Sequence, residues 1–404
     1  MPLTLSRRVT AISPSLTLAI DSKAKEMKQK GLDVVSFGAG EPDFDTPEYI
    51  RNAAKYALDH GMTRYTPAAG TLSLRQAICD KLERENGLHY TPAQILVCNG
   101  AKHALSNVFH AIVDAASHDE VLIPTPCWVS YTELVKCAGG TPVFVPTREE
   151  NNFIATAEDI LPYVTERTKA LVLNSPNNPN GCVWPVEELQ KIADLAVEKG
   201  FYVVSDEIYE KLIYDGEKHT SIATLGEDIF RQTIVINGMS KAYAMTGWRI
   251  GYTACSLEIA KAMTSYQSHA TSNPNAIAQY ASEIALREVE TSDATIAAMV
   301  AEFDRRRKRI VALINDVPGI SASLPKGAFY VMMNISQLIG KSYNGRVIRG
   351  SSDFADCLLE SELVAVVPGV AFQADQYCRL SYATSMENIE RGIARIAAFI
   401  ARLS

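Results

Sequence analysis

Lys241 closes an apolar run, Ile236-Asn237-Gly238-Met239-Ser240-Lys241, at a short polar turn. An amine just past a buried strand is desolvated, which lowers its pKa and suits it to Schiff-base chemistry with a carbonyl. By itself the pattern also describes a solvated surface lysine, the commoner case. Arg249 follows among small residues in Thr246-Gly247-Trp248-Arg249-Ile250-Gly251, a setting suited to a phosphate ester. Asp206 ends the run Val203-Val204-Ser205, and Tyr209 lies three residues on. A buried carboxylate there can keep an aromatic ring nitrogen protonated; the bland reading is a strand-end aspartate capping the next turn. Asn174-Ser175-Pro176-Asn177-Asn178-Pro179-Asn180-Gly181 must turn, given its Asn-Pro and Asn-Gly steps, and the Asn178 amide is placed to donate to a ring oxygen. Asn99-Gly100-Ala101-Lys102 reads as a strand–helix junction, where free N–H groups suit a phosphate.

These residues need one scaffold to bring them together. Short apolar runs at 94–98, 120–123, 141–145, 169–173, 201–205 and 232–236 alternate with helical patterns at 101–115, 129–138 and 186–199. Continuous rather than alternating hydrophobicity marks strands buried on both faces. The spacing predicts an α/β fold with a mostly parallel sheet flanked by helices, its active residues beyond the carboxyl ends of the strands. A helical stretch at 276–316 changes the pattern. Strands at 328–333, 363–367 and 379–382, with helices at 353–361 and 388–402, predict a smaller α+β domain. The expected division is residues 1–48 packing with the small domain, 49–290 as the large domain and 291–404 as the small one.

The 404 residues carry a net charge of −7, with 21% charged and 47% hydrophobic residues. This is a globular composition without the basic footprint of a nucleic-acid or anionic-membrane binder. The run Arg305-Arg306-Arg307-Lys308 reads as a solvated helix face. The eight cysteines form no CxxC pair or His-Cys cluster, so they read as buried free thiols and no metal is expected. With no apolar leader and no long apolar span, the expected location is cytoplasmic, an organellar form with its transit peptide removed being the alternative.

Taken jointly, lysine, arginine, aspartate, tyrosine, asparagine and a Gly turn at one sheet edge have no bland explanation. The sequence resembles the class I aminotransferases, fold-type I enzymes that use pyridoxal 5′-phosphate. The likeness rests on Ser205-Asp206-Glu207-Ile208-Tyr209-Glu210, Asn174-Ser175-Pro176-Asn177-Asn178-Pro179, Ser240-Lys241-Ala242 and Arg379-Leu380-Ser381-Tyr382. Gly40-Glu41-Pro42-Asp43-Phe44-Asp45-Thr46-Pro47 and Ala244-Met245-Thr246-Gly247-Trp248-Arg249 are similar to the aspartate aminotransferase branch that includes bifunctional aspartate/prephenate enzymes. The resemblance implies a seven-stranded sheet, transamination and a homodimer with shared active sites. It makes Lys241 the Schiff-base lysine and proton carrier and Asp206 the partner of the ring nitrogen. Tyr209 and Asn178 become donors to the ring 3-oxygen, and Trp128 the stacked aromatic. Ser240, Arg249 and Gly100, Ala101 and Lys102 form the phosphate cup, with Tyr65 reaching the partner's phosphate. Arg379, assisted by Gly40, Asn178 and Trp128, takes the substrate α-carboxylate. Many relatives carry a hydroxyl residue at the position of Gly238, which leaves the phosphate contacts near Lys241 open. The resemblance also implies a cis bond at Asn178-Pro179.

For the substrate, Ala270-Thr271-Ser272-Asn273-Pro274 lacks the distal arginine of the other aspartate branch. Lys102 and Thr17 match residues that shape that end of the pocket in the bifunctional enzymes. The expectation is aspartate with 2-oxoglutarate, and prephenate as a second acceptor. An aminotransferase of aromatic or other amino acids, or a lyase or decarboxylase on the same fold, would share the cofactor residues. A non-catalytic regulator with an added N-terminal DNA-binding domain finds no room, since the resemblance begins within the first ten residues.

Overall fold

The computed structural model describes residues 5–404. Seven strands form one sheet in the order Ile95–Cys98, Gly251–Ala254, Thr233–Gly238, Tyr202–Asp206, Thr168–Asn174, Glu120–Thr125, Thr141–Pro146. Gly251–Ala254 runs antiparallel to both of its neighbours, and the remaining pairings are parallel. The expected α/β class and its predominantly parallel sheet are thus observed.

Both faces of the sheet are covered, as continuous apolar strands require. Val121, Ile123, Val172 and Val204 pack under Leu105, Phe109, Val135 and Met263. The alternate residues Leu122, Leu171, Leu173 and Val203 pack against Leu189, Ile192 and Ala196 of the helix Val186–Lys199. Burial of such a side chain contributes about 1.5–3 kcal/mol, so register is strongly fixed, and with it the positions of the residues that end each strand.

A second, three-stranded antiparallel sheet runs Val367–Pro368, Tyr377–Ser381, Tyr330–Asn334. It shares a core with the helices Val289–Asn315, Ser351–Glu362 and Met386–Ile400. Val35–Ser36 pairs in parallel with Val364–Ala365, and Phe37 is buried in this same core.

Several elements differ from the sequence reading. The strand Gly251–Ala254 was not expected: it is four residues long, starts at a glycine and has no apolar run of its own. The stretch 276–316 is two helices, Ala276–Arg287 and Val289–Asn315, broken at Glu288. Half of the basic run is not solvated. Arg305 and Lys308 are exposed, but Arg307 is 0% and Arg306 7% exposed. Arg307 grips Asp215 and Asp304 and donates to the Pro325 carbonyl, while Arg306 makes a two-oxygen contact with Asp43. The helix turns that edge inward, and acidic loops from elsewhere in the chain meet it. The eight cysteines are free; seven are buried and Cys137 is half-buried.

Candidate active site

Three parallel strands end at the same edge of the large sheet with Asn174, Asp206 and Gly238. Beyond them opens a cavity of about 420 Å³. It brings together Thr17, Gly40, Ala101, Lys102, Trp128, Asn178, Asp206, Tyr209, Ser240, Lys241, Arg249 and Arg379, the predicted set apart from Gly100 and Tyr65.

Asp206 is 3% exposed. The Tyr131 hydroxyl donates to its Oδ2 at 2.6 Å, and the Ile208 N–H to its Oδ1 at 3.3 Å. Burial pushes its carboxyl up to about 6, with those two donors pulling the other way. Lys241 is half-buried. Its Nζ donates to the Gly40 carbonyl at 2.6 Å and lies 5.6 Å from the centres of both the Tyr209 and Phe329 rings. Desolvation lowers its ammonium to about 8, the Glu41 carboxylate opposing. An amine poised near neutrality can give and take a proton at working pH.

The helix Ala101–Ile112 begins at this edge, with Gly100 as its cap at φ +88° and no capping side chain. Its first N–H groups therefore lack intrahelical partners. A Cβ at Gly100 would overlap the Arg249 guanidinium, so the glycine lets that cation close on the helix end. Arg249 is held by the carbonyls of Thr246 (2.8 Å) and Asn99 (3.4 Å). Helix N-terminus, guanidinium and the Ser240 hydroxyl make an anion cradle that fits a phosphate. Gly238 pairs with Gly251, and a Cβ there would sit 2.8 Å from both the Gly251 Cα and the Ile250 carbonyl oxygen. A hydroxyl-bearing residue does not fit at this position.

Arg379 is 2% exposed. Its Nη1 donates to Asn178 Oδ1 at 3.0 Å and its Nη2 to the Gly38 carbonyl at 3.1 Å, and its Nε is buried without a partner. It stacks 4.3 Å from the Tyr330 ring centre and 5.0 Å from that of Phe372. Lys102 Nζ lies 5.0 Å from the Trp128 ring centre. Burial, then the nearby Arg249, lowers its proton affinity.

The model for "Aminotransferase class I and II" matches residues 32–396. The chain belongs to that family. It is 46% identical over 400 residues to an aspartate aminotransferase of Bacillus subtilis, covering 99% of this chain and 100% of that one. It is 46% identical to the aspartate/prephenate aminotransferase of Thermus thermophilus, covering 98% and 99%. A solved structure of aspartate aminotransferase from Thermus thermophilus with maleate superposes with a TM-score of 0.93 at 45% identity, covering 98% of this chain and 100% of that one. This aminotransferase is a pyridoxal phosphate enzyme, and its cavity fits that group: anion cradle, buried carboxylate, flat indole and amine line one hollow.

Not every sequence expectation is met. The peptides in cis precede Pro126 and Pro176, not Pro179. The stretch 177–181 is instead a helical-type turn closed by Gly181 N–H to the Asn177 carbonyl. Tyr65, expected to serve a partner's phosphate rather than this cavity, is 88% exposed and lies outside it, beside a hollow lined by Arg64 and residues 271–277. Tyr131 and Tyr330 also line the cavity, outside the expected set. Tyr131 was legible from its place three residues after Trp128, one helical turn on. Tyr330, whose hydroxyl lies 3.0 Å from that of Tyr209, comes from the other sheet and gave no local signal.

Proposed function

We propose that this chain transfers amino groups between aspartate and 2-oxoglutarate, with prephenate as a second acceptor. One observation carries the reading. Arg379 is buried and no carboxylate partners it among the described residues. A buried guanidinium met only by neutral oxygens is short of a counter-ion, and an α-carboxylate entering the cavity supplies it. Lys102, on the Trp128 face of the same cavity, offers a second cation for a distal carboxylate. The relatives named for aspartate and prephenate support that pairing.

When bound, pyridoxal phosphate supplies an aldehyde carbon and an electron-withdrawing ring. The protein's part is to bind, orient and move protons. Gly100, Ala101, Lys102, Ser240 and Arg249 would hold the phosphate, and Trp128 would pack on the ring. Asp206 would keep the proton on the ring nitrogen, while Tyr209 and Asn178 would donate to the ring oxygen. Arg379, with Asn178 and Gly40, would orient the substrate by its carboxylate so that the Cα proton faces Lys241 Nζ, which as the free amine would take that proton and as the ammonium would give it back. Thr17 shapes the distal end. The active form is a homodimer in which Tyr65 reaches the partner's phosphate; its 88% exposure supports that reading. The free cysteines support a reducing, cytoplasmic setting.

The test is reconstitution with pyridoxal phosphate, a spectrum and two half-reactions. Wild type should give a visible band reducible by borohydride. Aspartate should convert the bound cofactor to its amine form, and 2-oxoglutarate should reverse this. Lys241→Ala should lose the reducible band. Retention of that band in the variant, or release of ammonia with fumarate, or of alanine with carbon dioxide, from aspartate by wild type without conversion of the cofactor to its amine form, would overturn the assignment.

A further inference from the structure

Behind the strand ends that bear Asp206 and lead to Lys241 lies a second set of charges that the transamination chemistry does not use. Glu207 is 0% exposed. Its Oε1 accepts the hydroxyls of Ser205 (3.0 Å) and Ser221 (2.6 Å), and its Oε2 lies 3.1 Å from His219 Nε2, an ion-pair contact outside hydrogen-bond geometry; that oxygen and both ring nitrogens of His219 are otherwise buried without a hydrogen-bond partner among the described residues. The His219 side chain is 7% exposed. Glu210 accepts from Lys81 Nζ and from the amides of Asn86 and Asn237, both at 2.7 Å. Asn237 Oδ1 in turn accepts the Gly238 N–H at 2.7 Å. The network thus ties the helix Leu72–Asn86 to the last residues of two sheet strands.

Glu207, Glu210 and Glu85 bring three negative charges to this region, and Lys81 and Lys211, both paired with Glu85, bring two positive. Burying an unbalanced carboxylate costs several kcal/mol, and the balance closes if His219 is an imidazolium. Donor atoms of Glu207, Glu210 and His219 lie within 4.8 Å of one another, a spacing open to a metal. Lys81, Asn86 and Asn237 already satisfy Glu210, which favours the ion-pair network over a cation site.

We propose that His219 is a positioning residue, protonated between Glu207 and Glu210, that neutralises the charge behind Asp206 and so sets the electrostatic field acting on the cofactor's ring nitrogen. The proposal rests on Asp206 being the partner of that nitrogen. The groups facing His219 are Glu207 and Glu210 from the turn after Asp206 and Lys81 from the helix Leu72–Asn86. The phenols of Tyr90 and Tyr252 lie near the same carboxylates and are held neutral by burial. Burial opposes the imidazolium, but Glu207 and then Glu210 outweigh it, against Lys81, so the net direction is upward. Glu207 also pushes the Asp206 carboxyl upward. An uncompensated Glu207 would push it further.

The experiment is a histidine-ring NMR titration of wild type in both cofactor-free and loaded forms, followed by a double-mutant cycle. One of the seven histidines should titrate above the ordinary value of about 6.5 and vanish from the spectrum of His219→Gln. If all seven titrate at or below that value, the proposal fails, whether or not any variant folds. In the loaded enzyme, His219→Gln should raise the pH midpoint of the visible cofactor band by about 0.5 unit or more, and Glu207→Gln added to it should bring the midpoint back. A purely structural His219 would lower the melting temperature and leave the midpoint in place, which overturns the proposal. Asp206→Asn separates the two readings. If it leaves band and turnover unchanged, the Asp206 assignment fails, while the His219 titration still reports on the network.

Discussion

The Tyr131 hydroxyl donates to Asp206 Oδ2 at 2.6 Å, both side chains being nearly inaccessible at the floor of the cavity. Tyr131 sits on the first turn of the helix Val129–Ala138, which also begins at Trp128. One helix therefore presents an aromatic face to the cavity and a donor to the buried carboxylate.

A hydrogen bond to the ionised form of an acid favours that form. Tyr131→Phe removes it and leaves a phenyl ring of nearly equal shape. Asp206 should then titrate above its present value of about 6. The expected outcome is a fall in kcat/KM of roughly 10-fold, matching a charge-assisted hydrogen bond of about 1.5 kcal/mol. The acid limb of the pH–rate profile should move upward. An unchanged acid limb would show that the hydroxyl does not act on Asp206.

Asp206 also carries a stability cost in the cofactor-free protein. Its folded value of about 6 exceeds the ordinary 3.8, so the folded state favours the protonated acid. For such a group, stability is fully present below the unfolded value and is lost as pH rises through the folded one. A difference of that size corresponds to about 3 kcal/mol at most. Asp206→Asn should therefore raise the urea midpoint of the cofactor-free protein at pH 7–8 and flatten its decline between about pH 4 and 6, while activity falls. Urea melts at several pH values check this, and an Asn variant less stable than wild type at pH 8 contradicts it.

The sequence made the large sheet legible because its strands are buried on both faces and so read as continuous apolar runs. The site residues at the strand ends followed, since Asp206 and Asn174 are the last residues of their strands. What stayed hidden depends on distant partners. Gly251–Ala254 is held by edge pairing rather than by its own pattern. Arg306 and Arg307 are buried by Asp43, Asp215 and a neighbouring loop that no local window contains. Tyr330 reaches Tyr209 from the second sheet, 121 residues away.

Arg307 gives a stability prediction. Its guanidinium is wholly buried, meets both Asp215 oxygens at 2.8 Å and lies 4.6 Å from the Tyr214 ring centre. Its carboxylate partners Asp215 and Asp304 are 30% and 27% exposed and also face Lys308, so the loss comes from the buried donors and packing, about 1.5–3 kcal/mol for hydrogen bonds to a charged group, rather than from a stranded charge. Arg307→Ala should lose that much by denaturant titration. Arg305→Ala, on the exposed neighbour, should change stability by no more than about 0.5 kcal/mol. Equal small effects at the two positions would return the run to a solvated helix face.

The substrate prediction turns on Lys102. Its ammonium lies over Trp128 in the cavity that also holds Arg379 and Thr17. Lys102 is an exposed residue, but partial desolvation of its ammonium and then Arg249 disfavour its charge, so a carboxylate arriving at that end meets a cation short of anionic company. A flexible lysine also tolerates carboxylates of different reach better than a rigid guanidinium fork. Lys102→Ala should lower kcat/KM for aspartate, glutamate and prephenate by roughly 10- to 150-fold, the equivalent of 1.5–3 kcal/mol for a charge-assisted hydrogen bond. Alanine and tyrosine, which lack a distal carboxylate, should lose far less. The measurement is kcat/KM for all five in wild type and variant. Equal losses on all five would make Lys102 a phosphate ligand that never reads the substrate. Alanine or tyrosine outrunning the dicarboxylates in wild type would overturn the aspartate assignment itself.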